Sequence, residues 1–431
     1  MNNTLSNLDA QPISRLQYAT ILVCFIMNIL DGADVLIISY SAPAIAESWK
    51  VSSETLGIVF SAGLAGMTMG ALLLAPLADH IGRKKMILFS ALLMGSSVFL
   101  TSYSTTVFEL IALRFVSGIG IGSMLASTAA LTAEYTPDRS KDFWISLVIA
   151  GYPVGAVLSG LVAAEVIPTT GWPRMYQIAG LASFLTLPLI WFLLSESLEF
   201  YYKKQPKDAL SRVNRILKKM QQPIMSSLPP VSPKRAVIPL SDLLSLAYRL
   251  PTLQLWLALF LSFGSLYFLT SWIPKLATDA GLSMSLAIYA GTVFNVGAFI
   301  GILTQGYFSS RLGLKRTIGA FFMATALLMA FFKLFIGSDI LLLVFGMLGF
   351  GIQGGFVGLY AVAARMYPTE FRTTGVGWAI GAGRLGAVVS PAVGGVLIGM
   401  GLAMATNFMI FALPAMLAGI VTMRLSSKEI S

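Results

Sequence analysis

Apolar residues along this chain neither alternate nor mark one helical face; they come in long unbroken runs. Twelve runs can be placed, at roughly 16–39, 56–78, 86–103, 107–131, 143–165, 174–194, 251–273, 286–308, 317–336, 339–362, 373–399 and 403–423. Each is near the roughly 20 residues that a helix needs to cross a bilayer core about 30 Å thick. Charged positions fall largely between the runs. The 40 glycines fall mostly inside them, as expected where helix backbones approach closely in lipid. The pattern predicts an all-α polytopic membrane protein with twelve transmembrane helices.

A second pattern lies over the first. Shifting the sequence by 231 residues brings Pro43 onto Pro274, Gly70 onto Gly301, Gly82 onto Gly313 and Gly155 onto Gly386. The same shift pairs Lys84 and Lys85 with Lys315 and Arg316, Gly118 and Gly120 with Gly349 and Gly351, and Pro137 with Pro368. One gap-free offset across six runs predicts a duplication. The expected division is an N-terminal six-helix bundle over 1–195, a linker over 196–250 and a C-terminal six-helix bundle over 251–431. Parallel repeats of this kind are one known transporter plan, with substrate held near the bilayer midplane.

Ionisable residues are where the repeats disagree. Asp31 and Asp34 correspond to Ser262 and Ser265, Arg114 to Phe345, Arg384 to Pro153, and Asp79 to Ser310. A charge near the centre of a membrane helix costs about 2.5–3.5 kcal/mol on insertion scales, so these residues should face protein and pair. Asn28, Asp31 and Asp34 are spaced three apart, and neighbours in that series share a helix face. One acid can be absorbed by a structural ion pair with Arg114, and that is the role expected for Arg114. Both acids cannot easily be absorbed so. Two nearby carboxylates shielded from water repel, so that one holds a proton near neutral pH. Asp31, Asp34 and Arg114 are therefore the expected proton-coupling set.

Arg384, between Gly383 and Gly386 in "GAGRLGAVVSPAVGG", has no acid in the membrane portion of its own half; Asp279, Asp339 and Glu370 lie in loops. Its planar fork suits a carboxylate, from a substrate or, as the plainer alternative, from Asp31 or Asp34. The expected substrate contacts are Arg384, Asn28, Gln353 and Tyr360. Asn295 and Asn407 are further polar candidates, and Gln353, Tyr360, Asn295 and Asn407 are each, taken singly, more often helix-packing hydrogen bonders. Tyr267, Trp272 and Trp378 are ring-stacking surfaces or members of an interfacial belt.

Composition and charge narrow the class. Only 11% of residues are charged, against about 25% in soluble domains. The net charge of +10 is not gathered into a basic soluble domain, which argues against nucleic acid. With Cys24 the only cysteine and His80 the only histidine, neither a disulfide framework nor a His/Cys metal cluster is available. Placing the N-terminus inside puts 23 of the 29 Lys and Arg in cytoplasmic segments and 4 in outer loops. The positive-inside rule then sets both termini in the cytoplasm. The run after the short polar N-terminus is too long for a signal-peptide core, so the first segment is expected to stay as an anchor. In the linker, "PKDALSRVNRILKKMQQ" spaces Ala209, Leu210, Val213, Ile216, Leu217 and Met220 helically among basic residues. That predicts an amphipathic helix lying on the anionic inner leaflet, or a basic tether.

"APLADHIGRKKMIL" resembles the signature loop of the major facilitator superfamily, with Leu77, Asp79, Gly82, Arg83 and Lys84 in place. Ala75 replaces the leading glycine, which Gly306 keeps in the second copy. The run of Arg114, Gly118 and Gly120 resembles that superfamily's fourth-helix motif. "AEYTPDRSKDFW" and "RMYPTEFRTTGVG" resemble its two charged cytoplasmic loops. "DGADVLIISYSAPAI" and "ESLEFYYKK" are similar to the aromatic acid:proton symporter family, whose mark in the first helix is D-G-x-D. The resemblance implies the major facilitator fold, of two pseudo-symmetric six-helix bundles. It also implies import of benzoate-like acids or ring-cleavage acids such as muconates with protons, across a bacterial inner membrane. Asp31 and Asp34 would be the coupling acids, and Asp79, Gly82, Arg83, Glu134 and Arg139 the cytoplasmic gate. With Ser310 in place of the second acid, the gate should be asymmetric.

The function expected is proton-coupled symport of a small organic anion by alternating access. No cofactor or metal is expected beyond the coupling H+, and a monomer is expected. The rival is a proton-driven efflux antiporter, but such antiporters commonly carry G-x-x-x-G-P-x-x-G-G in the fifth helix, and "GYPVGAVLSG" lacks the G-P step. A membrane sensor would not need the acids of the first helix. No nucleophile–base set marks an enzyme.

Overall fold

A computed structural model describes residues 13–137, 140–230, 243–245, 248–367 and 372–425. Arg139, Pro368 and Glu370 lie outside the described residues, as does most of 228–239. The described residues are helical and contain no strand. The long helices are α1 (Arg15–Trp49), α2 (Ser53–Met69), α3 (Arg83–Thr101), α4 (Val107–Tyr135), α5 (Gly151–Thr170) and α6 (Trp172–Leu193). After the linker come α7 (Arg249–Asp279), α8 (Met284–Leu312), α9 (Leu314–Ala330), α10 (Leu341–Met366), α11 (Arg372–Gly399) and α12 (Met404–Met423). Among the described residues eleven of the twelve are long and apolar enough to cross a membrane, α2 when counted on through Leu74. The exception is α9, expected over 317–336, which has 17 residues and gives way to a 3-10 turn at Phe332–Phe335.

Local chemistry sets several helix ends. Thr106 caps α4 by accepting from Glu109 N at 3.3 Å, while the Glu109 carboxylate accepts from Thr106 N at 3.2 Å. This reciprocal box fills two of the donors a helix start leaves open. At its far end α2 runs into a π turn, Gly70–Leu74, with Ala75 N bonded to Gly70 O at 3.0 Å. Pro76 follows and has no N–H to continue the regular ladder. The matched stretch of α8, with Tyr307 in that place, is regular α-helix to Leu312.

The offset of 231 residues reappears as geometry. A β-carbon at Gly70 would run into the Ile119 carbonyl, and one at Gly301 into that of Phe350. Gly66 meets the Phe115 carbonyl as Gly297 meets that of Gly346, and Gly155 meets Ile29 as Gly386 meets Phe260. Each pair of partners is displaced by the same 231 positions. One further pair is inverted. Gly32 takes the backbone of Tyr152, whereas at the matched positions Gly383 takes the ring of Phe263.

Packing groups the described residues into two compact units that cut across the sequence halves. One draws on Met1–Asp34, Ala65–Gly155 and Tyr176–Arg235, the other on Val35–Leu64, Ala156–Met175 and Ala236–Ser431. In the second unit the far ends of α1 and α2 pack on α7 and α11. Ser39 Oγ donates to the carbonyls of Thr270 and Ser271 at 2.7 and 2.9 Å. The Thr270 carbonyl is the one left without its helical donor by Pro274, four residues on. Phe60 meets Trp272 edge-on at 5.0 Å, and Gly57 lies against Pro391 and Gly395.

The linker helix, Ala209–Lys219, corrects one expectation. Its apolar face does not lie on a leaflet. Ala209, Val213, Ile216, Leu217 and Met220 are buried in the first unit's core with Leu194, Leu198 and Tyr201. Burying each larger side chain is worth about 1.5–3 kcal/mol, and protein supplies that burial here.

Candidate functional site

The seam between α1 and α4 holds a buried ion pair of the first unit. Asp34 accepts from Arg114 Nη1 at 2.8 Å and from the Ser117 hydroxyl. Arg114 also donates to the Asp34 backbone carbonyl at 3.3 Å and lies 5.2 Å from the ring centroid of Tyr176. Both charges are buried. Asp31 contrasts with this. It is 1% exposed and neither carboxylate oxygen has a hydrogen-bond partner among the described residues. Asn28, expected against substrate, is fully buried, with Nδ2 donating to the Cys24 carbonyl at 3.0 Å and to Thr128 Oγ1 at 3.2 Å.

In the second unit α11 closes on α7 through Gly383 and Gly386, which take the Phe263 ring and the Phe260 carbonyl. Arg384 between them is partly exposed and makes no ion pair among the described residues. It lies near the hydroxyl of Tyr360. Rings continue from there: Tyr360 meets Phe356 at 5.3 Å, Phe356 meets Phe263 edge-on at 4.6 Å, and Phe263 stacks on Tyr267 at 6.0 Å. Gln353, Phe356 and Tyr360 follow the i, i+3, i+7 spacing of one helical stripe, and Gln353 Oε1 is buried with no partner among the described residues. The structure thus gathers Arg384 and Tyr360, with Gln353 on the same stripe of α10.

Other polar candidates go to packing. Asn295 donates to Gly291 O of its own helix at 2.8 Å, and Asn407 to Leu402 O and Ala403 O at 2.7 and 3.0 Å. Trp272 is fully buried and donates to Pro391 O at 3.0 Å, whereas Trp378 is exposed and stacks on Trp256.

The loop from α2 to α3 forms a third cluster. Gly82 has φ +103°, open to glycine at little cost, and its α-carbon sits against the Glu196 carboxylate. Arg83 Nε pairs with Glu134 at 2.8 Å, and its Nη2 reaches Glu199 at 3.3 Å and Asp79 at 3.6 Å. Glu134 accepts from Ser197 Oγ at 2.7 Å, and Glu196 from Lys84 N at 3.0 Å. Burial pushes the Glu199 carboxyl up, but its bonds to Lys203 and Arg83 win and hold it below the usual glutamate range. The sequence reading missed Glu196, Ser197 and Glu199 as partners of Arg83 and Glu134. A signal was present in "ESLEF", where Ser197 caps the helix Leu198–Lys204 and sets an acid in its first turn.

Comparison with known proteins follows the same lines. The family model described as Major Facilitator Superfamily matches residues 24–305 and 255–430. The chain belongs to the major facilitator superfamily. A gallate transporter of Pseudomonas putida is 32% identical over 96% of this chain and 92% of its own length. The 4-hydroxybenzoate transporter PcaK of Pseudomonas aeruginosa is 32% identical over 95% and 93%. These relatives set the chain in the superfamily's aromatic acid transporter family. The xylose transporter XylE from E. coli, in an inward-open conformation, superimposes with a TM-score of 0.75 at 15% identity, covering 95% of this chain and 96% of that one. The fold is that of the major facilitators, and the protein is a multi-pass membrane transporter rather than an enzyme.

Within that superfamily fold the candidate site charges form three groups. Asp31 stands without a donor among the described residues, beside an Asp34–Arg114 pair made through Arg114 Nη1. Arg384 lies near the ring series of Tyr360, Phe356 and Phe263. Asp79, Gly82, Arg83 and Glu134 form a network inside the first unit that is anchored on residues following α6.

Proposed function

We propose that this transporter imports an aromatic carboxylate together with a proton, by alternating access, across a bacterial inner membrane with both termini in the cytoplasm. The observation that carries the reading is the contrast between Asp34, whose charge is closed by Arg114, and Asp31, which is equally buried and has no donor. A dry carboxyl without a donor is at ease only as the neutral acid. Asp31 is therefore the group that takes and gives up the proton, while Asp34 and Arg114 fix the helix that carries it. Arg384 receives the carboxylate through its planar fork, and the Phe263, Phe356 and Tyr360 rings offer faces for an aromatic body. That setting favours a ring acid over a ring-cleavage diacid, in keeping with relatives named for gallate and 4-hydroxybenzoate. The unit of transport in this reading is the single chain.

Coupling follows from charge. A monoanion moving with one proton is neutral overall and draws on the pH gradient alone. A second proton would add about 2.3 kcal/mol per 100 mV of inward-negative potential. The decisive experiment is uptake of labelled 4-hydroxybenzoate into proteoliposomes with an imposed pH gradient. Wild type should accumulate it, and Asp31→Asn should equilibrate it without accumulation while inserting normally. Undiminished accumulation by Asp31→Asn would remove the proton assignment. Arg384→Lys should weaken affinity, because an ammonium cannot make the two-pronged contact.

A further inference from the structure

Resting on the reading of Asp31 as proton carrier, we propose that Asn28 positions the transported proton: its side-chain carbonyl accepts the O–H of the neutral Asp31 carboxyl. Asn28 has only one way round. Its Nδ2 donates to the Cys24 carbonyl and to Thr128 Oγ1, at 3.0 and 3.2 Å. Thr128 spends its own hydrogen on the Met124 carbonyl at 3.0 Å, so towards Asn28 it acts as acceptor. Flipping the amide would set its oxygen against two acceptors. Oδ1 is thereby left as a buried acceptor with no donor.

Asp31 is one turn further along α1, where residues three apart have β-carbons about 5–6 Å from each other. Asn28 reaches Thr128 of α4, and Asp34 reaches Arg114 and Ser117 of α4. Asp31 lies between those two contacts in height and in angle, on the flank of α1 turned to α4. Its two oxygens also lack a donor. With Asp31 ionised, Asn28 Oδ1 and both Asp31 oxygens are acceptors without a donor among the described residues, and the buried donors still open, Nε and Nη2 of Arg114, belong to the residue that pairs with Asp34 and do not bond Asp31. One proton on Asp31 supplies the missing donor, and Oδ1 of Asn28 is the acceptor still unfilled. Asp34 is less available, since its oxygens already receive Arg114 and Ser117. The other titratable or charged groups facing this region are Cys24 on α1, Arg114 on α4, Tyr176 on α6 beneath Arg114, and Tyr152 on α5, whose backbone packs on Gly32.

A hydrogen bond accepted from the neutral form favours that form, so removing Oδ1 should ease loss of the proton. The test is infrared titration of the purified full chain, following the carboxyl C=O stretch that Asp31→Asn removes. In Asn28→Leu that band should move to higher frequency and vanish about one pH unit lower, a roughly tenfold loss of proton affinity. Thr128→Val, which frees the amide without removing it, should move the midpoint the same way by less, and it carries the test if Asn28→Leu does not fold. A band present in wild type and lost in Asp31→Asn, yet unmoved in frequency and midpoint by both variants, overturns the role of Asn28 alone. If Asp31→Asn removes no band, the reading of Asp31 itself falls.

Discussion

The seam of α1 with α4 and the matched positions of α7 and α10, which turn to α12, hold the same register of the two repeats and are filled in opposite ways. In the first, Asp34 and Arg114 form a buried ion pair over the Tyr176 ring. In the second, Ser265 stands for Asp34 and donates to the Phe411 carbonyl at 3.3 Å. Phe345 stands for Arg114, 5.4 Å from Phe332 and 6.5 Å from Phe408. Ser262, in the place of Asp31, is content with the Leu259 carbonyl of its own helix at 3.0 Å. The fold therefore needs this slot filled and does not need it charged. A buried ion pair is often no more stable than apolar packing of the same volume, so under the proposed function the charges of the first seam would serve transport rather than folding.

The sharpest way to break the comparison is to give the first seam the residues of the second. Arg114→Phe alone strands Asp34 without its cation and should destabilise by about 3–5 kcal/mol, read as a fall in unfolding temperature of the purified protein. Asp34→Ser with Arg114→Phe removes both charges and should recover most of that loss, while pH-driven uptake stays absent. Equal stability of the single and double variants would mean that the pair is not coupled as the 2.8 Å contact implies.

The glycine contacts sharpen it next. Gly155→Ala and Gly386→Ala each drive a methyl into a backbone carbonyl, of Ile29 and Phe260 respectively, and overpacking of this kind costs about 1–3 kcal/mol. Losses of similar size in the two repeats are expected, measured by thermal unfolding. Gly306→Ala, with nothing within 4 Å, should instead gain about 0.5–1 kcal/mol as a helical glycine replaced by alanine. A large loss there would mean that the open space beside Gly306 is filled in solution.

A step smaller is the contact made at the matched prolines. Pro274 frees the Thr270 carbonyl and Ser39 Oγ meets it at 2.7 Å. Removing that bond with Ser39→Ala should cost about 1 kcal/mol, roughly a fivefold shift towards forms with these helix ends apart. In the proposed orientation they face outward. Phe60→Cys, buried against Trp272, should then react about fivefold faster with a membrane-impermeant thiol reagent, and the natural thiol, Cys24, is itself buried. Unchanged labelling would mean that the Ser39 bond does not hold these ends together.

Much of this was legible in residues. The offset that aligned Gly70 with Gly301 and Gly155 with Gly386 returned as the same close approaches in space, because a helix crossing that admits no side chain leaves glycine in both copies. The break in symmetry at Asp34 and Arg114 was legible for the opposite reason, since a charge in lipid must have a partner. What periodicity cannot give is the identity of the partner. It showed the apolar face of Ala209–Lys219 but not that Leu194, Leu198 and Tyr201 would cover it in place of lipid. Arg83 and Glu199 are 116 residues apart, and only the folded chain brings them together. Asn28 read as a pocket residue because its polarity was visible, while the Cys24 carbonyl and Thr128 that occupy its nitrogen were not.

The loops after α2 and after α8 carry the same contrast at its weakest. Both turn on a glycine of positive φ, +103° at Gly82 and +87° at Gly313. Gly82 lies against the Glu196 carboxylate, whereas Gly313 has nothing within 4 Å. The second loop lacks more than an acid. Ser310 replaces Asp79 and Leu314 replaces Arg83, so the hub of the network is missing as well as one spoke. Ser310→Asp alone should therefore recreate nothing, and only Ser310→Asp with Leu314→Arg should add an ion pair. In the first loop the hub carries a pH signature. Glu199 is held below the usual glutamate range, so its contribution to stability is present above its ordinary value near 4.5 and lost as pH falls through the lower folded value. Its side chain is 37% exposed, and screening limits the effect to about half a kcal/mol. Wild type should exceed Glu199→Gln by that small margin at pH 6–7, and the two unfolding temperatures should converge below pH 4.5 or so. Convergence on raising the pH would mean that Glu199 is stabilised as the neutral acid, and that Arg83 is held by Glu134 and Asp79 without it.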